Sequence, residues 1–400
     1  MPGFQPFQGI RYARKNDLSS VVAPPYDVIS PDERSQLLAR DPYNAVRLIL
    51  PDSYEQAAAD WNAWRRSGIL QADEASNFYV CRMSWEEHGR TRQTTGVIGA
   101  LSLAENQQTP ILPHELTLPK AKSDRLALLR ATRANFDPIW GLTLSSGFTS
   151  LLSTNTLLGA CIDDNEVRHE LFVLEEQCVD SVVAAIASTP LVLADGHHRF
   201  ETAITYQKEV AASNELVPGA TAIMCFIVEC AEDQLSVEPI HRVLVDIPTG
   251  YPVSDLIGDH FEVRKISSDL ENVNELWDAM QQHEALGLVE SDGLSIAIPT
   301  SGARRLVASR APRETAFVDA ALFEELIRPS LPDATEIAYQ NDAQMVVGMV
   351  ANQKAHAALL LRPATVDQIR AAAHAGVRMP QKTTFFTPKP RTGMVFRSLV

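Results

Sequence analysis

The chain has 400 residues, 45% of them hydrophobic, and a formal net charge of −15 at pH 7. Its length predicts two domains or one large interlocked unit, and its composition excludes a disordered chain. The acidic balance argues against nucleic acid as a partner, because contacts along a phosphate backbone need a basic surface. The longest apolar runs, such as residues 221–228, are far shorter than the roughly 20 residues that span a membrane, so no membrane partner is expected.

Two simple features concern the cellular compartment. The first fifteen residues hold no apolar stretch of the secretory kind. The five cysteines are odd in number and show no CxxC spacing, which is typical of free thiols in a reducing environment. We therefore expect a cytoplasmic protein.

The first part of the chain alternates between helical and strand patterns. Ser30, Pro31 and Glu33 have the spacing of a helix start with a capping box. Further helices are predicted over residues 54–70, 175–188 and 197–213, and strands over residues 77–103 (as a hairpin), 136–144, 168–175, 189–196 and 221–230. A strand, a helix and a strand in succession indicate an α/β unit.

The same alternation continues to the end of the chain. Residues 253–311 alternate again between helical and strand patterns, and residues 317–331 predict a further helix. We therefore predict an α/β fold with an N-terminal region, residues 1–244, and a second α/β region, residues 245–400, that ends in a basic arm. We expect this arm to return to the first region.

The stretch LADGHHRF, residues 193–200, places several titratable groups directly after a buried strand pattern. Asp195 is expected to cap the following helix, and Gly196 has no Cβ to obstruct a ligand. The first-turn amides of that helix lack intrahelical acceptors and lie at the positive end of the helix dipole, so the turn is suited to bind an anion. His197, His198 and Arg199 add donors there, since arginine grips a phosphate with two nitrogens and histidine donates a hydrogen bond or shuttles a proton.

Two other interpretations of this turn stay open. An ordinary capped helix whose histidines face solvent fits the same residues. A zinc site fits less well, because adjacent residues of a helix point roughly 100° apart and one ion seldom takes both histidines. No dedicated metal site is expected, although the Asp195 carboxylate is suited to a nucleotide-borne magnesium ion.

A second constellation lies at residues 113–139, PHELTLPKAKSDRLALLRATRANFDPI. His114 and Glu115 follow the end of a strand pattern, and Lys120, Lys122 and Arg125 lie in the loop and helix that come next. A carboxylate beside several cations is suited to accept the proton of a substrate hydroxyl while the cations hold phosphates. A surface helix with ion pairs is the alternative.

The last 25 residues, 376–400, hold five Lys or Arg and no acidic residue. Lys382, Lys389 and Arg391 lie in a proline-containing segment without helical or strand periodicity. We expect them to close over an anionic ligand as a rigid arm, because each proline fixes one backbone torsion. A solvated basic face is the alternative.

Five motifs, in order along the chain, resemble those of a prokaryotic family known as domain of unknown function 1015. They are APPYDVIS at residues 23–30, the stretch 113–139, ADGHHRFETA at 194–203, EPIHRVL at 238–244 and MPQKTTFFTPKPRTGMVF at 379–396. The resemblance covers nearly the whole chain. The family name implies no activity.

The DGHHR element by itself is similar to the signature of the ParB/sulfiredoxin superfamily, in which such a turn binds nucleotide phosphates and some members are free-serine kinases using ADP or ATP. This resemblance implies a ParB/sulfiredoxin-like nucleotide-binding core, with residues Asp195–Arg199 as the phosphate cradle and ATP or ADP with Mg²⁺ as the cofactor. In the kinase members an earlier glutamate acts as the base, and Glu115 is the residue here that matches it.

Three functions fit these observations. The favoured one is a small-molecule phosphotransferase, with a serine-like hydroxyl substrate near His114 and Glu115 and the neighbouring cations steadying the transferring phosphoryl group. The alternatives are a phosphomonoester hydrolase that uses a histidine, such as His197 or His198, as nucleophile or acid, and a non-catalytic nucleotide-binding regulatory protein. The expected partners are thus a nucleotide and a small anionic or hydroxyl metabolite.

Overall fold

A computed structural model of the chain describes residues 3–13, 17–87, 89–103, 111–113, 119–213, 215–247 and 251–400. These residues form twelve α-helices and twenty-one strands, which confirms the α/β fold class. Within the described part of the chain, no helix is both long enough and apolar enough to cross a membrane.

The helices are α1 Pro31–Arg40, α2 Val46–Ile49, α3 Tyr54–Arg66, α4 Pro119–Thr132, α5 Val179–Ser188, α6 His197–Ser213, α7 Val253–Leu256, α8 Val273–His283, α9 Ser301–Arg310, α10 Asp319–Leu322, α11 Ala343–Ala351 and α12 Val366–His374. The strands are β1 Phe4–Gln5, β2 Gly9–Tyr12, β3 Leu70–Ala72, β4 Tyr79–Glu87, β5 Arg90–Ser102, β6 Ile111–Pro113, β7 Ala134–Asn135, β8 Ile139–Thr143, β9 Thr154–Ile162, β10 Arg168–Leu174, β11 Leu191–Asp195, β12 Ala222–Glu229, β13 Ser236–Glu238, β14 His241–Val245, β15 Phe261–Ser267, β16 Leu286–Glu290, β17 Gly293–Pro299, β18 Glu336–Gln340, β19 Ala357–Leu360, β20 Phe385–Thr387 and β21 Phe396–Ser398.

The chain divides into two compact units. Unit 1 comprises Met1–Leu235 together with Pro388–Val400, and unit 2 comprises Ser236–Thr387. Relative to the predicted boundary between residues 244 and 245, the structure assigns residues 236–244 to unit 2 and residues 388–400 to unit 1. The reason is strand pairing: β14 pairs with β18 and β19 of unit 2, whereas β21 pairs with β2 and β7 of unit 1.

Unit 1 is built on a mixed sheet in the order β6-β11-β8-β12-β5-β4-β10-β9, with β1 paired to β5. β11 runs parallel to β6 and antiparallel to β8, and β8 runs parallel to β12. The first four residues of β11 are apolar and buried, and they join a core that α5 and α6 help to cover. Burying such apolar side chains is the main favourable term in folding.

A second sheet of unit 1 has the order β3-β2-β21-β7. The C-terminal strand β21 therefore lies inside this sheet. Its Phe396 is fully buried and meets the rings of Trp61 and Phe136 edge-on, at centroid distances of 5.7 and 5.8 Å. The end of the chain is thus an integral part of the unit 1 core.

Unit 2 contains an antiparallel sheet in the order β15-β17-β16-β19-β14-β18 and a small sheet of β13 and β20. Its core includes apolar residues of α8, α11 and the central strands. Arg242 on β14 is fully buried, lies near the rings of Phe323 and Tyr339, and donates to the main-chain oxygens of Gln381 and Lys382. Its role in unit 2 is therefore structural.

Candidate functional site

The Asp-Gly turn lies where β11 meets α6. Asp195 is the last residue of β11, and the Phe200 amide donates to the Gly196 oxygen to close the first turn of α6. Gly196 has a φ of +87°, and a Cβ there would lie 2.9 Å from Cγ2 of Ile139. Only glycine adopts this conformation without strain.

The structure corrects one expectation about this turn. We expected Asp195 to cap α6, but it is still in the strand, one residue before the position adjoining the helix. Its carboxylate instead accepts hydrogen bonds from Nη2 of Arg199 at 3.0 Å and from Nζ of Lys389 at 2.8 Å. Burial alone raises the pKa of Asp195, but Lys389 and Arg199 outweigh it and hold that pKa below its ordinary value.

Lys389 joins two carboxylates. Its ammonium donates to Asp195 and, at 3.2 Å, to Oδ2 of Asp27, while its own side chain is only 9% exposed. Burial lowers the pKa of Lys389, yet the two carboxylates together raise it above its ordinary value. Asp27 directly follows Tyr26 and the stiff Pro24–Pro25 pair. It was not among the predicted site residues.

Arg199 and Asp137 form the inner part of the site. The Arg199 guanidinium also donates to the Pro138 oxygen at 2.8 Å, so its position is fixed on two sides. Asp137 is 9% exposed and accepts a hydrogen bond from the Thr392 hydroxyl. Burial raises the pKa of Asp137 above its ordinary value, although the charge of Arg199 opposes this shift.

Arg125 approaches from α4. Its guanidinium lies 4.2 Å from the centroid of the Tyr26 ring and donates to the Ile49 oxygen at 2.8 Å. It also pairs with Asp124, which in turn accepts a hydrogen bond from the Tyr54 hydroxyl. Arg125 is therefore rigidly held although it belongs to a helix at the edge of the site.

Arg125 lines two cavities. The inner one measures about 60 Å³, and its lining includes Arg125, Asp137, Arg199 and Thr202 beside apolar side chains. The outer one measures about 510 Å³ and is lined in part by Tyr26 and Arg125.

His197 and His198 are the first two residues of α6, and both are partly buried. A positive charge on His197 also favours the ionised form of Asp195 and so lowers its pKa. Among the described residues, no group of three or more His, Cys, Asp or Glu side chains is arranged to hold a metal ion.

Four predicted residues are not placed by the structure. His114 and Glu115 lie outside the described residues, and Lys120 and Lys122 belong to α4 while their side chains are outside the described part. β6 is the last described segment before them, and its Pro113 pairs in parallel register with Leu193 of β11. β6 and β11 thus leave the sheet at the same edge.

The structure separates the two predicted lysines of the arm. Lys389 belongs to unit 1 and contacts the Asp195 turn, whereas Lys382 belongs to unit 2, where its main-chain oxygen accepts from Arg242. Of the predicted residues, the structure places Asp195, Gly196, His197, Arg199, Arg125 and Lys389 in unit 1. Asp27, Asp137 and Thr392 were not among the predicted site residues, although the sequence gave a local signal at the PPYD and FDPI motifs around Asp27 and Asp137.

The chain resembles one protein family along most of its length. A family described as "Protein of unknown function (DUF1015)" matches residues 4–375. None of the curated proteins matches the chain.

Three solved structures are similar in part. A conserved hypothetical protein from Pyrococcus furiosus is 12% identical, with 76% of this chain and 95% of that chain covered and a TM-score of 0.39. A free serine kinase in complex with AMP is 13% identical, with 73% and 87% covered and a TM-score of 0.39. SbnI with a C-terminal truncation, from Staphylococcus aureus, is 12% identical, with 74% and 85% covered and a TM-score of 0.38. At such low similarity we base the function on this chain's own residues.

Proposed function

The chain belongs to the DUF1015 family, whose description assigns no activity, and from the geometry of its site we propose that it is a nucleotide-binding small-molecule phosphotransferase. The nucleotide phosphates bind at the Asp195–Arg199 turn, and the acceptor is a small metabolite with a hydroxyl group, of which serine is the simplest candidate. The similarity of the DGHHR element to the ParB/sulfiredoxin turn supports a core of that type.

One observation carries the proposal. Three cations from distant parts of the chain lie close together in unit 1: Arg199 and Lys389 contact Asp195 just before α6, a helix of 17 residues, and Arg125 lines the inner cavity with Arg199. The first amides of such a helix have no intrahelical acceptors and lie at the positive end of its dipole. Phosphoryl transfer needs chiefly positioning and charge compensation, which fixed cations at a helix start supply.

The carboxylates of the site favour a nucleotide that brings its own metal ion. Asp27, Asp137 and Asp195, together with the Asp124 partner of Arg125, offset the three cations, so a bare polyanion would find no net positive charge. Asp27 and Asp195 contact the same ammonium, and one or two carboxylates are what a nucleotide-borne Mg²⁺ takes from a protein. Asp27 is the better suited of the two to contact the ion, because both Asp195 oxygens already accept from Arg199 and Lys389, and the ion would neutralise charge on the transferring phosphate.

Two carboxyls are candidates for the base that accepts the proton of the acceptor hydroxyl. Glu115 is implied by the motif resemblance. Asp137 is supported by position, because it lines the inner cavity together with Arg125 and Arg199. Burial raises its pKa, which brings a carboxyl closer to the range useful for proton transfer.

Ligand-induced stabilisation tests the nucleotide site. Thermal unfolding is measured with ATP, ADP, CTP and inorganic phosphate, each with and without Mg²⁺. A nucleotide at about 100 times its dissociation constant adds about 2.7 kcal/mol of stability. Absence of a shift with every nucleotide would refute the proposal.

A matched pair of variants on α4 tests the location of the site. Arg125→Met removes a guanidinium of the site, whereas Arg130→Met removes one that pairs with Glu209 at the surface, 52% exposed. We expect the dissociation constant of the Mg²⁺ nucleotide to rise at least about tenfold in the first variant, as loss of one charge-assisted contact implies, and to stay unchanged in the second. Equal effects of both variants would contradict this placement.

Turnover separates the remaining alternatives. Phosphate transfer from the nucleotide to serine or a related hydroxyl compound supports the phosphotransferase, and its loss in Glu115→Gln or in Asp137→Asn with retained nucleotide binding identifies the base. Phosphate release from a phosphomonoester without nucleotide indicates the hydrolase. Saturable nucleotide binding without turnover of any hydroxyl metabolite indicates the regulatory protein.

A further inference from the structure

The segment Pro388–Thr392, here called the strap, crosses the site of unit 1 and is attached at several points. Lys389 contacts Asp195 as described above. Thr392 donates through its hydroxyl to Asp137 and exchanges two main-chain hydrogen bonds with Ala23, of 3.0 and 2.9 Å. The strap is thus held where it touches the site, and it has one further attachment outside the site.

That further attachment is Arg391. Its Nε and Nη2 both contact Oδ2 of Asp163, at 2.9 and 2.5 Å, and the two side chains are only 10% and 6% exposed. Asp163 lies in the turn between β9 and β10, where its Oδ1 accepts from the amides of Asn165 and Val167. The carboxylate that receives Arg391 is therefore itself fixed to the end of a hairpin.

His169 completes this attachment from β10. Its side chain is fully buried and its Nε2 lies 2.9 Å from Oδ2 of Asp163. Because an ionised carboxylate only accepts, Nε2 carries the proton in this contact. Asp163 is therefore held by an arginine, a histidine and two main-chain amides at once, which leaves it a single orientation.

The backbone of Arg391 is coupled to the backbone of Lys389 through one stiff residue. Only Pro390 separates them, and its ring fixes one of the two backbone torsions at that position. Lys389 has a long side chain with considerable freedom, which its two carboxylate contacts must restrict. Fixing the backbone on one side of Pro390 reduces the freedom that remains on the other.

We propose that Asp163, His169 and Arg391 form a latch that positions the Lys389 ammonium at Asp195 and Asp27 and so prepares the site for phosphate. None of the three latch residues belongs to the Asp195–Arg199 turn or to the linings of the two cavities at Arg125. They are therefore positioning residues. The consequence for phosphate binding rests on the proposed function, whereas the placement of Lys389 does not.

Chemical labelling of Lys389 tests the placement without any nucleotide. The amine reactivity of Lys389 is followed by mass spectrometry during acetylation with an N-hydroxysuccinimide ester. In the parent protein Lys389 is protected, since its side chain is 9% exposed. We expect its labelling rate to rise several-fold in Arg391→Met.

Arg397→Met serves as the matched control. Arg397 also belongs to the C-terminal segment, is 7% exposed and donates to Asn135, Ala222 and Gly219, so its loss destabilises the same unit. Its removal leaves the latch intact, and Lys389 should stay protected. Unchanged labelling in Arg391→Met, or equal labelling in the two variants, overturns the latch.

A double-mutant cycle tests the consequence for phosphate. The dissociation constant of ADP or ATP with Mg²⁺ is measured well below the unfolding temperature in the parent, Arg391→Met, Lys389→Met and the double variant. We expect Arg391→Met to raise the dissociation constant about tenfold in the parent and less than about twofold when Lys389 is absent, because its effect passes through that residue. Equal effects in both backgrounds overturn the positioning role.

The two proposals fail in different ways. If the parent binds no nucleotide, the proposed function fails, and the labelling experiment alone decides the latch. If nucleotide binds but Lys389 labelling is unaffected by Arg391→Met, the latch fails and the function stands. Should Arg391→Met not fold, Arg391→Lys replaces it in every arm, since lysine keeps the charge but not the two-nitrogen grip.

Discussion

The hydrogen bond from Thr392 to Asp137 gives a stability difference whose dependence on pH can be stated in advance. Thr392→Val removes the hydroxyl but keeps the shape of the side chain, at a position that is 1% exposed. A hydrogen bond to a buried ionised carboxylate contributes about 1.5–3 kcal/mol, whereas one to the neutral carboxyl contributes about 0.5–1.5 kcal/mol. We therefore expect Thr392→Val to lose about 1.5–3 kcal/mol of unfolding free energy at a pH well above the folded-state pKa of Asp137.

The sign of the pH dependence follows from the pKa of Asp137. The hydroxyl favours the ionised form, so its full contribution is present above the folded-state pKa of Asp137 and declines as the pH falls through that pKa. Burial raises this pKa above its ordinary value, so the decline begins at a higher pH than it would beside an unperturbed aspartate. The cost of Thr392→Val should accordingly be about halved in acid.

Urea unfolding of the protein, followed by tryptophan fluorescence or by circular dichroism, measures this difference across a range of pH. A loss of about 1.5–3 kcal/mol corresponds to a fall of about 3–12 °C in Tm for a unit of this size. Thr392→Ser is the control, because it keeps the hydroxyl and loses only a methyl group at a cost that does not depend on pH. A cost of Thr392→Val that stays the same across the whole pH range would show that Asp137 is not the acceptor that matters.

Three further predictions concern single side chains. Asp163→Asn should lose about 3–5 kcal/mol of unfolding free energy at pH 7, since it breaks a buried ion pair, and the loss should shrink as the pH falls below about 4, because Arg391 and His169 outweigh burial and hold the pKa of this carboxyl below its ordinary value. Burial lowers the pKa of His241 from 6.5 to about 4, so unit 2 should lose about 3 kcal/mol between pH 6.5 and pH 4, and urea unfolding of His241→Asn should lack this decline. Gly196→Ala should lower the unfolding free energy by at least about 1–2 kcal/mol, the cost of a left-handed non-glycine residue, and a Tm equal to that of the parent would contradict the backbone conformation described for the turn.

The elements of this fold that depend on local sequence could be predicted well. The predicted helix over residues 197–213 has those bounds in the structure, and Ser30 accepts from the Glu33 amide at the start of α1 as its spacing indicated. The predicted hairpin over residues 77–103 appears as β4 and β5. Each of these features is decided by residues a few positions apart, through periodicity, capping or turn chemistry.

The parts of the site that depend on distant contacts could not be predicted. Asp137 and Thr392 are 255 positions apart, and Lys389 and Asp195 are 194 positions apart. Their meeting depends on β21 pairing with β2 and β7, which no short-range pattern encodes. The charge composition of the last 25 residues predicted a basic arm, but composition cannot tell that Lys389 belongs to unit 1 while Lys382 belongs to unit 2.

The proposed nucleotide ligand is an anion, although the chain carries a formal net charge of −15. The arrangement of charges in the site explains how the two are compatible. A binding site with an excess of positive charge attracts any anion. In this site, Arg199 and Lys389 are instead held in place by carboxylates, with Asp195 between them. The ion pairs fix the cations before a ligand arrives, so little side-chain freedom is lost on binding. Under the proposed function, the same carboxylates would repel a free phosphate more strongly than one that carries a metal ion. The proposal therefore favours the metal complex of a nucleotide over the free nucleotide, on charge alone.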